Sequence, residues 1–503
     1  MATSILFPAE VVDNIISQLT HDLPSLKAIS LTCRQWLRCA RPFLYKSIIV
    51  PILLTQPATT GDMDSAMVPT VLKSPGYKPK YTTHLTLRSS PLVKLAFSPS
   101  LSVGLLLDPF TNLHTLTLSR LHLSEFPTIP TGDTFSRRIT TLRIHRLYYS
   151  VLRDVIALIL AFSSVRCLSL HPLQDERPSW QSSHRDLVTN IPPSTLPPVQ
   201  CFGTRLDISS PLPMALLDML KVKGSTRRLS ITTALGNALE FRYLSEIIDY
   251  IRQEKITTWD LGLNWNDRSR FSWSSIDNLR FDELVNLHTW TLSLLDFSTT
   301  RKRALTYVFI QHILQSFRRY RWNGEFLNFH RFTLSFISPS TSRRDIRRTL
   351  GIRTSLKPGE LGGEDNNNNF IPDLNYNDVE DLAFIDEKRG GSVDLSIKCG
   401  YDKKGNLKIT TMRDVWSLCD MELAESLAGL PNLHEVVVEV RASGGAEGDD
   451  DLDREMGVEE LSGLVNGLFP DCVGRGLVVR AEMGPVGRIS GIWDRHECTS
   501  ELP

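Results

Sequence analysis

The chain has 503 residues and a mass of 56.8 kDa, too long for one compact core, so several units or one elongated array are expected. Lys+Arg and Asp+Glu are equal at 56 each, and this zero balance excludes a whole-protein nucleic-acid binder, which would carry a basic excess. The zero is a sum of unlike parts: residues 359–503 hold 30 acidic and 13 basic side chains (−17), leaving 26 acidic and 43 basic (+17) for residues 1–358.

Eight cysteines are present, none in a C-x-x-C pair, so neither a zinc ribbon nor a thioredoxin-type site is expected. The N-terminus lacks a basic segment followed by an apolar run, and the longest apolar stretch, Val155 to Phe162, is far too short to span a bilayer. These features predict a cytoplasmic or nuclear protein that contacts no membrane.

The first fifty residues read as three short helices. Pro8 suits a first helical position, and Val11, Val12, Ile15, Ile16 and Leu19 then form one broad apolar stripe. Asp22 is a natural N-cap for a second helix, with Pro24 in its first turn and Leu26, Ile29 and Cys33 at helical spacing. A third helix carries Trp36, Leu37 and Ala40 and is predicted to stop at Pro42, because proline cannot continue a hydrogen-bonded helix interior. Some forty residues in three helices are near the lower limit of independent stability. Such a unit needs a surface to cover its leftover apolar groups, which predicts a docking module.

The combination Phe7-Pro8-Ala9-Glu10 followed by Cys33-Arg34-Gln35-Trp36, with Asp22-Leu23 between them and Arg41-Pro42-Phe43-Leu44-Tyr45 after them, resembles an F-box of the fungal type. The departure is Phe7, where the family usually has leucine. The resemblance implies docking on the Skp-family adaptor of a cullin–RING ubiquitin ligase of the SCF type, and through it on the cullin. By position, Phe7, Pro8, Val12, Ile15, Ile16, Leu19, Leu26, Cys33 and Trp36 match the family's interface-and-core pattern and are the adaptor-binding candidates. Trp36 is the expected anchor, since tryptophan dominates many interfaces. Which of them face a partner and which hold the helices together stays open at this level.

After a loose tract, Gln56 to Lys80, a short pattern recurs: apolar-x-x-apolar-x-apolar. Leu113–Leu121, Ile139–Leu147 and Val165–Leu173 are its clearest copies, with first residues 26 apart twice running. Weaker copies hold Leu85 and Leu87, Leu206 and Ile208, Leu229 and Ile231, then Ile256, Trp259, Leu261 and Asn264, and Leu287, Trp290, Leu292 and Leu295. The octapeptide Asn112-Leu-His-Thr-Leu-Thr-Leu-Ser119 returns at Asn286–Ser293 with one change, and more loosely at Asn328–Ser335 and Asn432–Glu439. Between these strands, segments 151–162, 214–222, 239–252, 304–317 and 421–427 are apolar on one side and predicted helical. Strand then helix at this period resembles degenerate leucine-rich repeats, although the spacing is irregular and the asparagine ladder mostly absent. Each unit cannot bury its own apolar face, so stacking builds one continuous core.

The expected fold is therefore α/β: a three-helix F-box (1–50), a linker (51–80), an irregular leucine-rich-repeat-like solenoid with a curved, mainly parallel sheet (81–350), a flexible acidic insertion (351–392) and C-terminal repeats with a cap (393–503). A compact α/β domain is the alternative. Residues between the apolar strand positions would line a polar face, and Thr115, Thr117, Arg143, His145, Ser169, His171, Thr289 and Thr291 are the candidates for gripping a client protein. The same residues would equally suit a merely solvated sheet face.

No phosphate loop, dinucleotide fingerprint, H-E-x-x-H pair or nucleophile elbow occurs. The expectation is a non-catalytic protein without cofactor or metal that recruits an unknown client to a ubiquitin ligase. A non-degradative scaffold and an enzyme with an unrecognised site are the competing classes.

Overall fold

The computed structural model describes residues 8–19, 22–52, 79–89, 109–120, 137–146, 148–149, 152–171, 174–175, 195–206, 212–236, 238–265, 278–294, 330–338, 432–442 and 457–485, with isolated positions at 107, 276, 306, 309–310, 312–314, 316 and 346. Among the described residues the fold is α/β, and its main sheet is parallel, twelve-stranded and not closed. The chain divides into two compact units: 1–204 with 210–226, and 205–209 with 227–503.

The first unit begins with α1 (Ala9–Gln18), α2 (Leu23–Ser30) and α3 (Arg34–Leu44). The Pro8 carbonyl accepts from the amides of Val11 and Val12, opening α1. Asp22 caps α2 by accepting from the Ser25 amide at 3.1 Å, and Pro24 lies in the first turn, where a missing N–H leaves nothing unsatisfied. The Ser25 hydroxyl binds the same carboxylate, and both bonds hold the Asp22 carboxyl below its ordinary pKa. The expected stop at Pro42 does not occur: α3 runs on to Leu44 with Pro42 inside it. So close to the C-terminus the proline forfeits one amide donor only, and the Tyr45 amide still reaches the Arg41 carbonyl at 3.0 Å.

Val12, Ile16, Leu26 and Ala40 form the core of this helical module, with Leu19, Trp36, Cys39, Phe43 and Leu44 packed against it. The chain then enters β1 (Ser47–Ile52), which lies parallel and in register with β2 (His84–Ser89). The segment after α3 is thus already a strand of the sheet. The buried Thr82 hydroxyl donates to the Tyr45 carbonyl at 3.0 Å, and the amides of Thr83 and His84 share the Lys46 carbonyl. These three bonds tie the end of α3 directly to the sheet.

β3 (Thr115–Ser119), β4 (Thr141–His145), β6 (Cys167–Leu170) and β8 (Cys201–Leu206) follow in parallel. Two-residue strands β5 (Tyr148–Tyr149) and β7 (Gln174–Asp175) pair with each other outside the main sheet. The apolar rows Ile48–Leu85–Leu116–Leu142–Leu168–Phe202 and Val50–Leu87–Leu118–Ile144–Leu170 run straight across the strands, nearly all of them inaccessible to solvent. The 26-residue period sets this alignment, because each copy brings the same apolar pair to the same level. The copy expected at Leu206 and Ile208 lies earlier: β8 presents Phe202 to the row. α4 (Leu152–Leu160) and α5 (Leu212–Lys223) cover the strands, and Gly224 at φ 61° closes α5 in the left-handed conformation glycine tolerates.

The second unit repeats the scheme with wider spacing: β9 (Arg228–Leu235), α6 (Ala238–Glu254), β10 (Thr258–Trp265), β11 (Thr289–Leu294), β12 (Arg331–Ser338), β13 (Glu435–Ala442), α7 (Val458–Asn466), α8 (Pro470–Gly474) and β14 (Val478–Pro485). Its main apolar row is Leu229–Trp259–Trp290–Phe332–Val436–Val479, in which Trp259 stacks on Trp290 at 5.0 Å with 7° between the planes. Phe281 joins the stack from the preceding turn. The three later octapeptide copies meet in register, with Thr289 beside Arg331 and Arg331 beside Glu435. In the expected helix 304–317, the described residues Thr306, Phe309, Ile310, His312, Ile313, Leu314 and Ser316 are helical and buried. The segments 351–392, 393–397 and 421–427 lie outside the described residues.

Candidate protein-docking surfaces

Helix α1 is apolar over an unusually wide arc. At 100° per residue, Val11 and Ile15 centre about 100° from Val12 and Ile16, with Leu19 between. The fold splits that arc. Val12 and Ile16 are fully buried, whereas Val11 and Ile15 remain 41% and 40% exposed. Leu23 at the start of α2 and Leu31 just after it are 46% and 86% exposed, and Pro8 and Cys33 are exposed as well. A module with a core this small therefore displays an outer apolar set: Pro8, Val11, Ile15, Leu23 and Leu31. These residues are exposed apolar side chains of α1, α2 and the turns beside them.

The adaptor candidates thus separate into groups. Pro8, Ile15 and Cys33 are on the outside. Val12, Ile16 and Leu26 are interior, so they hold the helices together rather than face a partner. Leu19 and Trp36 are half-buried against the core, which makes Trp36 a packing residue with one accessible side rather than a free anchor. Phe7 lies outside the described residues. Val11, Leu23 and Leu31 were not among the candidates. The signal was available for Val11, since a stripe spanning some 140° is wider than one helix face can bury. Burial pushes the Cys39 thiol pKa up, and the neighbouring Asp13 carboxylate adds to the shift.

The second surface is the polar side of the strands. In the first unit, successive levels read Ile49–Thr86–Thr117–Arg143–Ser169–Gly203 and, one level further, Pro51–Arg88–Ser119–His145. His171, just beyond β6, stacks on His145 at 4.4 Å with 5° between the rings. Thr117, Arg143, His145 and His171 are half-buried, but Thr115 and Ser169 are buried. These last two are therefore removed from the client-binding set. Thr115 lies between His84 and Thr141, and Ser169 between Arg143 and Gly203.

In the second unit the polar side is charge-matched. Arg228 binds Asp260 across the strands at 2.7 Å, Arg331 binds Glu482 at 3.0 Å and lies 3.6 Å from Glu435, and Arg480 binds Glu435 at 3.2 Å. Thr289 and Thr291 are half-buried among these pairs, while Ser293, Thr333, Ser335 and Glu439 are buried. At the strand entrances, His288, His330 and His434 follow one another at 5.3 and 6.0 Å. Burial, with His330 adjacent, lowers the His288 pKa from its ordinary value. Among the described residues no group of three or more His, Cys, Asp or Glu side chains is arranged to hold a metal, and no helix is long and apolar enough to cross a membrane. No protein-family model matches the chain, and no curated protein matches it in sequence.

Proposed function

We propose that this protein is an F-box substrate receptor of an SCF-type ubiquitin ligase, with a leucine-rich-repeat-like body. The helical module docks on a Skp-family adaptor, and through it on a cullin, and the strand array holds the client. The observation that carries this reading is the division of α1, which builds a minimal core with one half of its stripe and presents Val11 and Ile15 with the other. The direct tie from α3 to β2 through Tyr45, Lys46, Thr82 and Thr83 supports it further. A client bound on the strands of the first unit would be held close to the helical module that carries the adaptor contacts. The protein itself contributes no reacting group; its effect on rate is proximity, raising the effective concentration of a client lysine near the charged conjugating enzyme.

The test is co-purification of the full chain with a Skp-family adaptor and cullin, followed by ubiquitination assays on captured proteins. The expected result is stoichiometric adaptor capture that is lost with Val11→Glu plus Ile15→Glu in a protein that still melts cooperatively. Equal capture by both proteins rejects the docking assignment. Capture without ubiquitin transfer to any bound protein identifies a scaffold instead.

A further inference from the structure

The turns that lead into the strands of the first unit carry positive charge with no negative counterpart. Backbone hydrogen bonds set Lys46, Thr83, His114, Thr140, Arg166 and Gln200 side by side, each one position ahead of its strand. Lys46, His114 and Arg166 are exposed. Further out on the same turns, the Asn112 side chain donates to the Lys80 carbonyl at 2.7 Å, and Arg137 and Arg138 precede β4. Turns 79–83, 109–114, 137–140, 161–166 and 195–200 contain no Asp or Glu. Among the described residues no carboxylate lies within ion-pair distance of Lys46, Lys80, Arg137, Arg138 or Arg166. One guanidinium nitrogen of Arg138, Nη1, is closed off from solvent with no acceptor, a costly state for a charged donor. In the second unit, ahead of β10 and β11, the charges are matched instead: Arg252 and Arg280 bind Glu283 at 2.6 and 2.7 Å. With strands about 4.8 Å apart, Lys46, His114 and Arg166 stand at intervals of about 10 Å along a rim of about 19 Å. Seven residues of an α-helix rise about 10.5 Å, whereas a nucleic-acid strand repeats its charge every ~3.4 Å. Nor do these turns offer bases an open ring to stack on: Phe110 and Phe162 are buried, and the Lys80 ammonium lies over the Tyr81 ring at 5.8 Å. We infer that this rim docks an acidic segment of a protein partner. Lys46 and Arg166 are its contacts at the two ends, with Arg137 and Arg138 between them. The inference deepens the receptor reading, on which its biological meaning rests, by naming the class of client segment.

The probe is a fluorescein-labelled fifteen-residue peptide of Glu and Ala, half of it Glu, tested by polarisation against the full chain. The same peptide with Lys in place of Glu and a single-stranded oligonucleotide of equal length serve as comparisons. The Glu peptide is expected to bind at least ~10-fold tighter than the Lys peptide and to weaken as salt rises to physiological strength, because exposed contacts are screened. Arg137→Gln, Arg138→Gln and Arg166→Gln together are expected to weaken binding at least ~10-fold. Since Arg138 is half-buried, Lys46→Gln plus Arg166→Gln, both at exposed positions, provides a second variant with no packing role, expected to weaken binding at least ~5-fold. Arg242→Gln plus Lys255→Gln makes the same change of net charge at exposed positions of the second unit and is expected to leave binding unchanged. Equal binding of the Glu and Lys peptides, no loss in the Lys46–Arg166 variant, the same loss in the second-unit variant, or tighter binding of the oligonucleotide overturns the inference. Adaptor capture is measured on the same proteins: its absence with peptide binding intact sinks the receptor reading alone, and the reverse pattern sinks this inference alone.

Discussion

Ile15 and Ile16 are consecutive, chemically identical and on one helix, yet their truncation should have opposite consequences. Ile16 is fully buried in a core of four residues. Ile16→Ala removes apolar contacts that nothing nearby can refill and should cost the module ~2–5 kcal/mol. Ile15 is 40% exposed, which leaves about 70 Å² of its surface for the proposed adaptor to cover. At about 25 cal/mol per Å², covering that area contributes ~1.8 kcal/mol, roughly 20-fold in affinity. Ile15→Ala should therefore change the stability of residues 9–44 little while weakening adaptor binding ~20-fold. Hydrogen exchange of α1–α3 reads the first quantity and calorimetric titration with a purified Skp-family adaptor reads the second. Ile16→Ala should accelerate exchange across all three helices, because every helix contributes to that core. The reasoning is refuted by equal acceleration in both variants, or by unaltered adaptor affinity in Ile15→Ala.

Two further outcomes follow from the second unit. The folded-state pKa of His288 lies below its unfolded value of 6.5, so the folded protein takes up that proton less readily than the unfolded chain. Stability from this group is present above the unfolded pKa and lost as pH falls below it; the melting temperature should drop between pH 7.5 and 5.5, with a smaller drop in His288→Gln, and an equal drop in both assigns the effect elsewhere. Trp259 is fully buried, stacks on Trp290, and its indole N–H has no acceptor among the described residues. Trp259→Ala should cost ~3–5 kcal/mol in chemical denaturation, whereas Trp259→Phe, which keeps a ring, should cost less than ~1.5 kcal/mol; both changes remove the unsatisfied donor, so their difference reads ring packing alone, and similar costs for the two would refute the contribution of the stacked ring.

Sequence alone determined most strand positions and which way their side chains alternate, because a two-residue apolar period is a local property; β8, expected around Leu206 and Ile208, was the exception. It also determined that Thr289, Arg331 and Glu435 stand side by side, since a repeated octapeptide seeks the same level on each strand. Tertiary structure decided what depends on segments distant in the chain. It chose Val12 and Ile16 over Val11 and Ile15 for the interior, because α2 and α3 occupy only one side of α1. It let α3 pass Pro42, since the residues beyond were already needed to pack Phe43 and Leu44 on the core and deliver Lys46 to Thr83. It buried Thr115 and Ser169, which periodicity had placed on an open face, because exposure there depends on what neighbouring strands carry rather than on the strand itself.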